Sequence, residues 1–443
     1  MIKFNRIAIN AQIPPNKGSG GVEQALIGLV TALGKLQDGP EEYVLIGPWQ
    51  EPDWLKPFLG GNQRIVRGPR PSQSTLRETG LLERFKRALG PLRKLARTMR
   101  AKFCHVQTSP LPLKWPEVPI SNGFYENLGC DVIHFPFQHF TLCALPTIYN
   151  PHDLQHLHYP QFFRPSEIAW REVVYPAACH LAHTVVVMSH WGKQDVVRHY
   201  RVHPAKVQVI PGAPCTQVYL EPTSNDLLAV QTRYNLVLPF AFYPATTWKH
   251  KNHIRLLEAL AHLRRQEGLV IRLVCTGKRY PDFWPQIEER IRALNLNEQV
   301  QFLGMVLPNE LRAMYRLSQF VIFPSLFEGG ALPMFESWLE STPLACSTAT
   351  MLPEQAGDAA LLFEPHSIPA IADAIRRMAT DAKLRAELVS KGKQRLQDFS
   401  WERTAKAYRA VYRRAAHRSL TDDDHWLLSC NWMQKPIQSM MNE

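Results

Sequence analysis

The chain lacks most of the features that would take it out of ordinary globular chemistry. No apolar run reaches the ~18 residues that a membrane-spanning helix needs, so a protein that crosses a bilayer is not expected. Its eight cysteines, Cys104, Cys130, Cys143, Cys179, Cys215, Cys275, Cys346 and Cys430, are scattered without paired spacing. That argues against a disulfide framework or a zinc cluster and for a reducing compartment. The opening MIKFNRIAIN has the pattern of a strand, not of a secretory leader. No DxD-like acidic metal site stands out, and no GxGxxG fingerprint is present. Acids are outnumbered, 39 against 51 Lys and Arg, which gives a formal net charge of +12. Such a surface suits an anionic ligand, an anionic membrane or nucleic acid. No nucleic-acid motif accompanies the charge, so that class is not expected.

What is present reads as globular. With 443 residues, 45% hydrophobic and 20% charged, the chain can build two or three domains with real cores. Short apolar, β-branched runs alternate with helical periodicity almost throughout. IAIN, YVLIG, DVIHF, PTIYN, TVVVMS and VQVIPG read as strands of a first half, with a helix from Val22 to about Lys35 and another in HWGKQDVVRHY. After a looser segment at about 213–235, FAFYPAT, VIRLVCTG, VQFLG, FVIFPS, PLACST and AALLF read as strands of a second half, with helices between and after them. This βα alternation predicts an α/β fold of two doubly wound domains with largely parallel sheets. Ligands of such sheets bind at the carboxyl ends of the strands, so two facing domains place a substrate in the cleft between them. Residues 67–130 interrupt the pattern. Within them, 82–103 carries eight Lys or Arg and one acid, with Leu82, Phe85, Leu89, Leu92, Leu95, Met99 and Phe103 at spacings of three and four. This basic amphipathic stretch, broken at Gly90-Pro91, fits an anionic membrane surface or an ordinary surface helix.

The stretch FEGGALPMFE, residues 327–336, follows the run FVIFPS. Gly329 and Gly330 break the strand, and Pro333 suits the first turn of a helix. Glu328 then lies on the loop and Glu336 at the end of that first turn. Free N–H groups at a helix start attract phosphate, while carboxylates suit hydroxyls. Together they point to a sugar nucleotide; the plainer alternative is a pair of acids that stabilises the helix dipole. PATTWKHKNH supplies Lys249 and Lys251 at another strand end, as partners for a diphosphate. PHDLQHLH places His152, Asp153, His156 and His158 after PTIYN. His152 and His156 are four apart, but the spacing is not HExxH, and polar contact or proton transfer is the better reading than a metal. Gly18, Gly20 and Gly21 follow the first strand, where glycine lets the backbone approach a ligand or simply makes a loop.

Taken together these stretches resemble the retaining glycosyltransferases of family 4, which have the GT-B architecture. FEGGALPMFE resembles the family's E-x7-E element, SGGVEQ its N-terminal glycine loop, and HDL its first-domain histidine motif. HTVVVMSHWGKQDVVRHYRVHPAKVQVIPG is similar to the end of the family's first domain. HKNH, QFLG and MLPEQAGDAALLF are similar to its second, and FSWERTAKAYRAVYRR to its terminal helix. The resemblance implies a first domain over 1–215 with a basic insertion at about 67–130, a donor-binding domain over 216–400, a helix at 401–416 crossing back, and a tail to 443. It implies catalytic roles for Glu328, Lys251 and His152. The donor would be held by Gly20, Gly21, Lys249, Gly304, Met305, Gly329, Gly330, Ala331, Leu332 and Glu336, with Asp153 toward the acceptor. The expected reaction moves a sugar from a nucleotide diphosphate, GDP-mannose or a UDP-sugar, to a hydroxyl of a saccharide or lipid-linked acceptor. Retention of anomeric configuration is expected, with no metal or other cofactor. A cytoplasmic enzyme, peripheral to a membrane through residues 82–103, fits this picture. One position departs from the pattern. Many relatives carry an arginine five or six residues before the lysine, where Ala245 and Thr246 stand here. Three other readings compete: a glycoside hydrolase using the two glutamates, a non-catalytic nucleotide-sugar-binding subunit, and a GT-B epimerase that needs no acceptor.

Overall fold

A computed structural model describes residues 5–13, 21–70 and 117–432. The basic stretch 82–103 and Gly20 lie outside the described residues.

Valine- and isoleucine-rich segments make strands because branched side chains fill both faces of a buried parallel sheet. In the first half these are β1 (Asn5–Asn10), β2 (Glu41–Gly47), β3 (Gln63–Arg67), β4 (Val132–Phe135), β5 (Thr147–Tyr149), β6 (Thr184–Val187) and β7 (Val207–Val209). They form a parallel sheet in the order β3-β2-β1-β4-β5-β6-β7. Around it lie α1 (Gly21–Lys35), the single turn α2 (Gln155–His158), α3 (Pro165–Leu181) and α4 (His190–Tyr200). The loose segment then holds a short helix, α5 (Ser224–Arg233), whose Thr223 caps it with a hydroxyl that accepts the Asp226 N–H.

The second half is built from β8 (Phe240–Pro244), β9 (Arg272–Thr276), β10 (Val300–Phe302), β11 (Phe320–Phe323), β12 (Leu344–Ser347) and β13 (Leu361–Phe363). Its sheet is parallel too, in the order β10-β9-β8-β11-β12-β13. The helices are α6 (His253–Glu267), α7 (Trp284–Ala293), α8 (Pro308–Leu317), α9 (Leu332–Leu339), α10 (Leu352–Ala356), α11 (Ile368–Thr380) and α12 (Ala382–Leu396). Leu256, Leu257, Leu260 and Leu263 form the buried stripe of α6. In each half the strand order reverses direction at one point, between β1 and β4 and between β8 and β11, and the loops that carry Lys251 and Glu328 flank the second of these.

Two cores result, one per sheet. α13 (Trp401–Ala415) leaves the second half and packs its Ala405, Tyr408, Val411 and Tyr412 into the first core. Tyr412 hydroxyl and His134 Nδ1 lie 2.7 Å apart, and Asn150 donates to the Tyr408 hydroxyl at 2.7 Å. α14 (Asp422–Ser429) follows on the same domain, held by Arg413, whose guanidinium meets Glu41 at 2.7 Å and Asp424 at 2.8 Å.

Candidate active site

The site grows from the ends of β5, β8 and β11. After β8 the chain makes one tight turn, Lys249–Lys251, and Asn252 then takes a left-handed conformation, φ +60°. Asn tolerates that region, and its amide here donates to the carbonyls of Pro324 (3.0 Å) and Pro365 (2.8 Å). Asn252 therefore ties the lysine turn to the loop after β11. The Tyr243 hydroxyl donates to the Lys251 carbonyl at 2.7 Å. With its backbone held on both sides, Lys251 points its ammonium at Glu328, Nζ to Oε1 2.6 Å. Glu328 is buried, and its own backbone is fixed by Thr350, whose hydroxyl donates to the Glu328 carbonyl and accepts its N–H.

Beyond Glu328 the helix α9 opens one residue before Pro333, at Leu332. The N–H of Ala331 is already spent on Gln355 Oε1, 3.3 Å. Those of Gly329, Gly330 and Leu332 have no acceptor among the described residues. Glu336, one turn into α9, accepts a hydrogen bond from the Tyr315 hydroxyl at 2.9 Å. Burial is the main reason its carboxyl is pushed up to about 7; Tyr315 opposes the shift and Glu340, one turn on, adds to it. Its second oxygen accepts from no described residue, so a ligand hydroxyl can reach it without displacing a protein group.

The first domain meets this loop at backbone distance. A Cβ on Gly329 would stand 2.5 Å from the carbonyl oxygen of His152 and 2.8 Å from Asp153 Cβ. His152 turns the chain there with φ +63°. Its Nε2 donates to the Pro136 carbonyl at 2.8 Å, and burial lowers its pKa, so the ring is neutral with Nδ1 as a bare acceptor. Asp153 lies under the same contact, 3.7 Å from Arg171. Gly330 faces Met188, and Leu332 reaches Gly21 and Gly212. Of the residues singled out from sequence, Lys251, Glu328, Gly329, Gly330, Leu332, His152, Asp153 and Gly21 thus converge where the domains touch. Gly304, with φ +76°, and the exposed Met305 lie in the loop after the edge strand β10, two strands from β8, where the Gly304 carbonyl accepts the Gly277 N–H. Lys249 has no ion pair among the described residues. At the positions of the absent arginine, Ala245 is buried and the partly exposed Thr246 hydroxyl has no partner among the described residues, while the neighbouring Thr247 hydroxyl accepts the Tyr280 N–H at 2.7 Å.

Glu354, in the quoted MLPEQAG stretch, received no role from sequence. Its two oxygens accept the N–H groups of His190 (2.6 Å) and Trp191 (2.8 Å) at the start of α4, clasping the two domains through a helix dipole. Arg164 and Asp282 form a second bridge at 2.6 Å, well exposed to solvent. A cleft of about 770 Å³, lined by Glu23, Gln24, Asp53, Trp54, Arg67 and Tyr219, shares none of its lining residues with this site.

The backbone contact yields a contrast. Gly329→Ala drives a methyl into a carbonyl that cannot swing aside, so the domains must part; kcat is expected to fall by ~10–10²-fold. Gly330→Ala meets only the Met188 side chain, which can move. Equal losses in the two variants, assayed side by side, would contradict this geometry.

Two family models match the chain, Glycosyl transferases group 1 over residues 232–395 and Glycosyltransferase Family 4 over 111–213. The O-antigen chain mannosyltransferase B of Escherichia coli is 26% identical over 268 residues, 59% of this chain and 69% of that protein. The D-inositol 3-phosphate glycosyltransferase of Corynebacterium glutamicum (strain R) is 26% identical over 242 residues, 52% of this chain and 57% of that one. Among solved structures, sucrose-phosphate synthase from Thermosynechococcus elongatus has a TM-score of 0.64 at 19% identity, covering 93% of this chain and 98% of its own. Anabaena HepE in complex with UDP and glucose has a TM-score of 0.63 at 16% identity, covering 92% and 99%. The architecture shared with these structures is GT-B.

Proposed function

We propose, for a chain that belongs to the family 4 glycosyltransferases, transfer of a hexosyl group from a nucleotide diphosphate to a hydroxyl of a saccharide or lipid-linked acceptor, with retention. The observation that carries this reading is the Lys251–Glu328 pair, 2.6 Å apart, set against the His152 turn at the domain contact. In the free protein the ammonium is held by a carboxylate. A bound diphosphate offers it more charge, so Lys251 turns to the phosphates and frees Glu328 to face the sugar. The Gly329, Gly330 and Leu332 amides face the same charge from the start of α9. Negative charge that builds on the leaving diphosphate is then met by groups already in place, at no reorganisation cost. His152 Nδ1 accepts from a sugar hydroxyl and orients the ring. Glu336 accepts from the ribose.

The relatives' names are those of mannosyltransferases, which makes GDP-mannose, among the donors expected from the sequence, the first to try. The test is a panel of GDP- and UDP-sugars with saccharide and lipid-linked acceptors, read by mass spectrometry and by the anomeric configuration of the product. Donor consumption without any glycosylated product, or an inverted product, sinks the reading. We also infer peripheral attachment to an anionic membrane from the pattern of 82–103, checked by vesicle sedimentation; failure to sediment at low salt removes it.

Glu336 links donor binding to pH. Its carboxyl titrates at about 7 when folded, against 4.5 for an ordinary glutamate. The folded state therefore holds the proton more tightly, and stability declines as the pH rises from 4.5 through about 7. Glu336→Gln should abolish that decline in urea midpoints. Nucleotide affinity should move the other way in the wild type, rising with pH through about 7 as the accepting carboxylate forms, and this dependence should vanish in Glu336→Gln. Equal pH profiles for the two proteins would remove Glu336 from the donor site.

A further inference from the structure

One cluster in the first domain takes no part in the chemistry above. His158 closes α2, and Asp195 and His199 stand one turn apart on the same face of α4. His158 Nε2 is 2.8 Å from Asp195 Oδ1, and His199 Nε2 is 3.3 Å from the same oxygen. The three ligand atoms lie within 4.8 Å of one another. Asp195 is 7% exposed, and its other oxygen, Oδ2, is buried without a hydrogen-bond partner. A buried carboxylate oxygen with nothing to accept is costly unless a cation can serve it. The two rings keep 29% and 34% of their side-chain surface open, which leaves a way in.

We propose that His158, Asp195 and His199 form a binding site for one divalent transition-metal ion of the zinc class. Two imidazoles and a carboxylate are the donors such ions prefer. A tetrahedral ion with ~2.0–2.1 Å bonds wants its ligand atoms about 3.3 Å apart; the His199–Asp195 separation of 3.3 Å meets that value and the His158–Asp195 separation of 2.8 Å has to widen slightly. Binding takes the place of the hydrogen bond between His158 and Asp195: the ring presents Nε2 bare to the ion and carries its N–H on Nδ1. Water completes the shell from the open side. The site also reaches the domain contact. The His158 ring packs 5.6 Å from Trp191 and 5.2 Å from Phe327, the residue before Glu328. An ion that fixes His158 therefore braces the wall behind Glu328, whatever reaction the cleft supports.

The experiment uses the full chain freed of metal by a chelator. Calorimetric titration with Zn2+ should show one ion per chain, and Zn2+ should raise the melting temperature. Co2+, as a coloured stand-in, should give the visible bands of a four-coordinate nitrogen and oxygen site without a thiolate charge-transfer band, which separates this cluster from the free cysteines. His199→Ala, at a half-open ring, and Asp195→Asn should each weaken Zn2+ binding by more than ~10²-fold, beyond what loss of an outer partner costs. His203→Ala, at an exposed histidine on the following loop, should not. No bound Zn2+ in the wild type, affinity untouched by His199→Ala, or a thiolate band with Co2+ would overturn the assignment.

Discussion

Lys251→Ala is expected to lower kcat by ~10²–10³-fold while the protein stays folded, the scale on which one preorganised charge-stabilising group acts. The ammonium is the positive charge held against the loop that carries Glu328, and its place is fixed by Tyr243 and Asn252 through backbone hydrogen bonds that the substitution leaves intact. Glu328→Gln should cost at least ~10²-fold. The pair permits a sharper test than either single change. Removing Lys251 alone leaves the buried Glu328 carboxylate unpaired, a burden that Glu328→Gln relieves. The double variant should therefore melt higher than Lys251→Ala, while its rate falls by less than the product of the two single losses, because both groups serve one developing charge. Folded Lys251→Ala with wild-type turnover would end the catalytic assignment. Strictly multiplicative rate losses would show that the two residues act on separate steps.

Arg413→Ala is expected to give the largest loss of stability, about 3–5 kcal/mol, the cost of stripping one partner from a buried ion pair. Its guanidinium is almost fully covered and bridges Glu41 at the start of β2 to Asp424 in α14, so its removal strands two carboxylates at once. The pair Arg6–Glu42, cross-strand partners on β1 and β2, is the control. It is 46% and 37% exposed, and Arg6→Ala should cost no more than ~1 kcal/mol. Urea midpoints with the same slope for all three proteins would report stability alone. Similar small shifts for Arg413→Ala and Arg6→Ala would mean that α13 is held by its apolar face and not by this bridge.

Much of this was legible along the chain. Runs such as FVIF and TVVV announce buried parallel strands because only strands of that kind are apolar on both faces. Glycines, Pro333 and the strand ends located the loop with Glu328 and the turn with Lys251. Other elements were not visible for local reasons. α3 carries Pro165 at its start and Pro176 within it, and its apolar residues keep no clean helical spacing, so nothing along the chain announces its 17 residues of helix. QRIVR, too polar to stand out, becomes β3 only because β2 offers it an edge. The looser segment 213–235 hides α5, ten residues whose single buried position is Val230.

What the sequence determined by itself was the α/β class, the two sheets, and the kind of chemistry its loops can support, since strand and helix patterns report burial and direction over a few neighbouring residues. What only the tertiary structure decided was which distant groups meet: Gly329 under His152, Glu354 on the first turn of α4, Glu336 buried deeply enough to titrate near 7, and two histidines closing on Asp195. The physical reason is that distance and desolvation belong to the packed solid. They depend on how two domains settle against each other, and no periodicity along the chain encodes the gap between a carbonyl and a glycine 177 positions away, from His152 to Gly329.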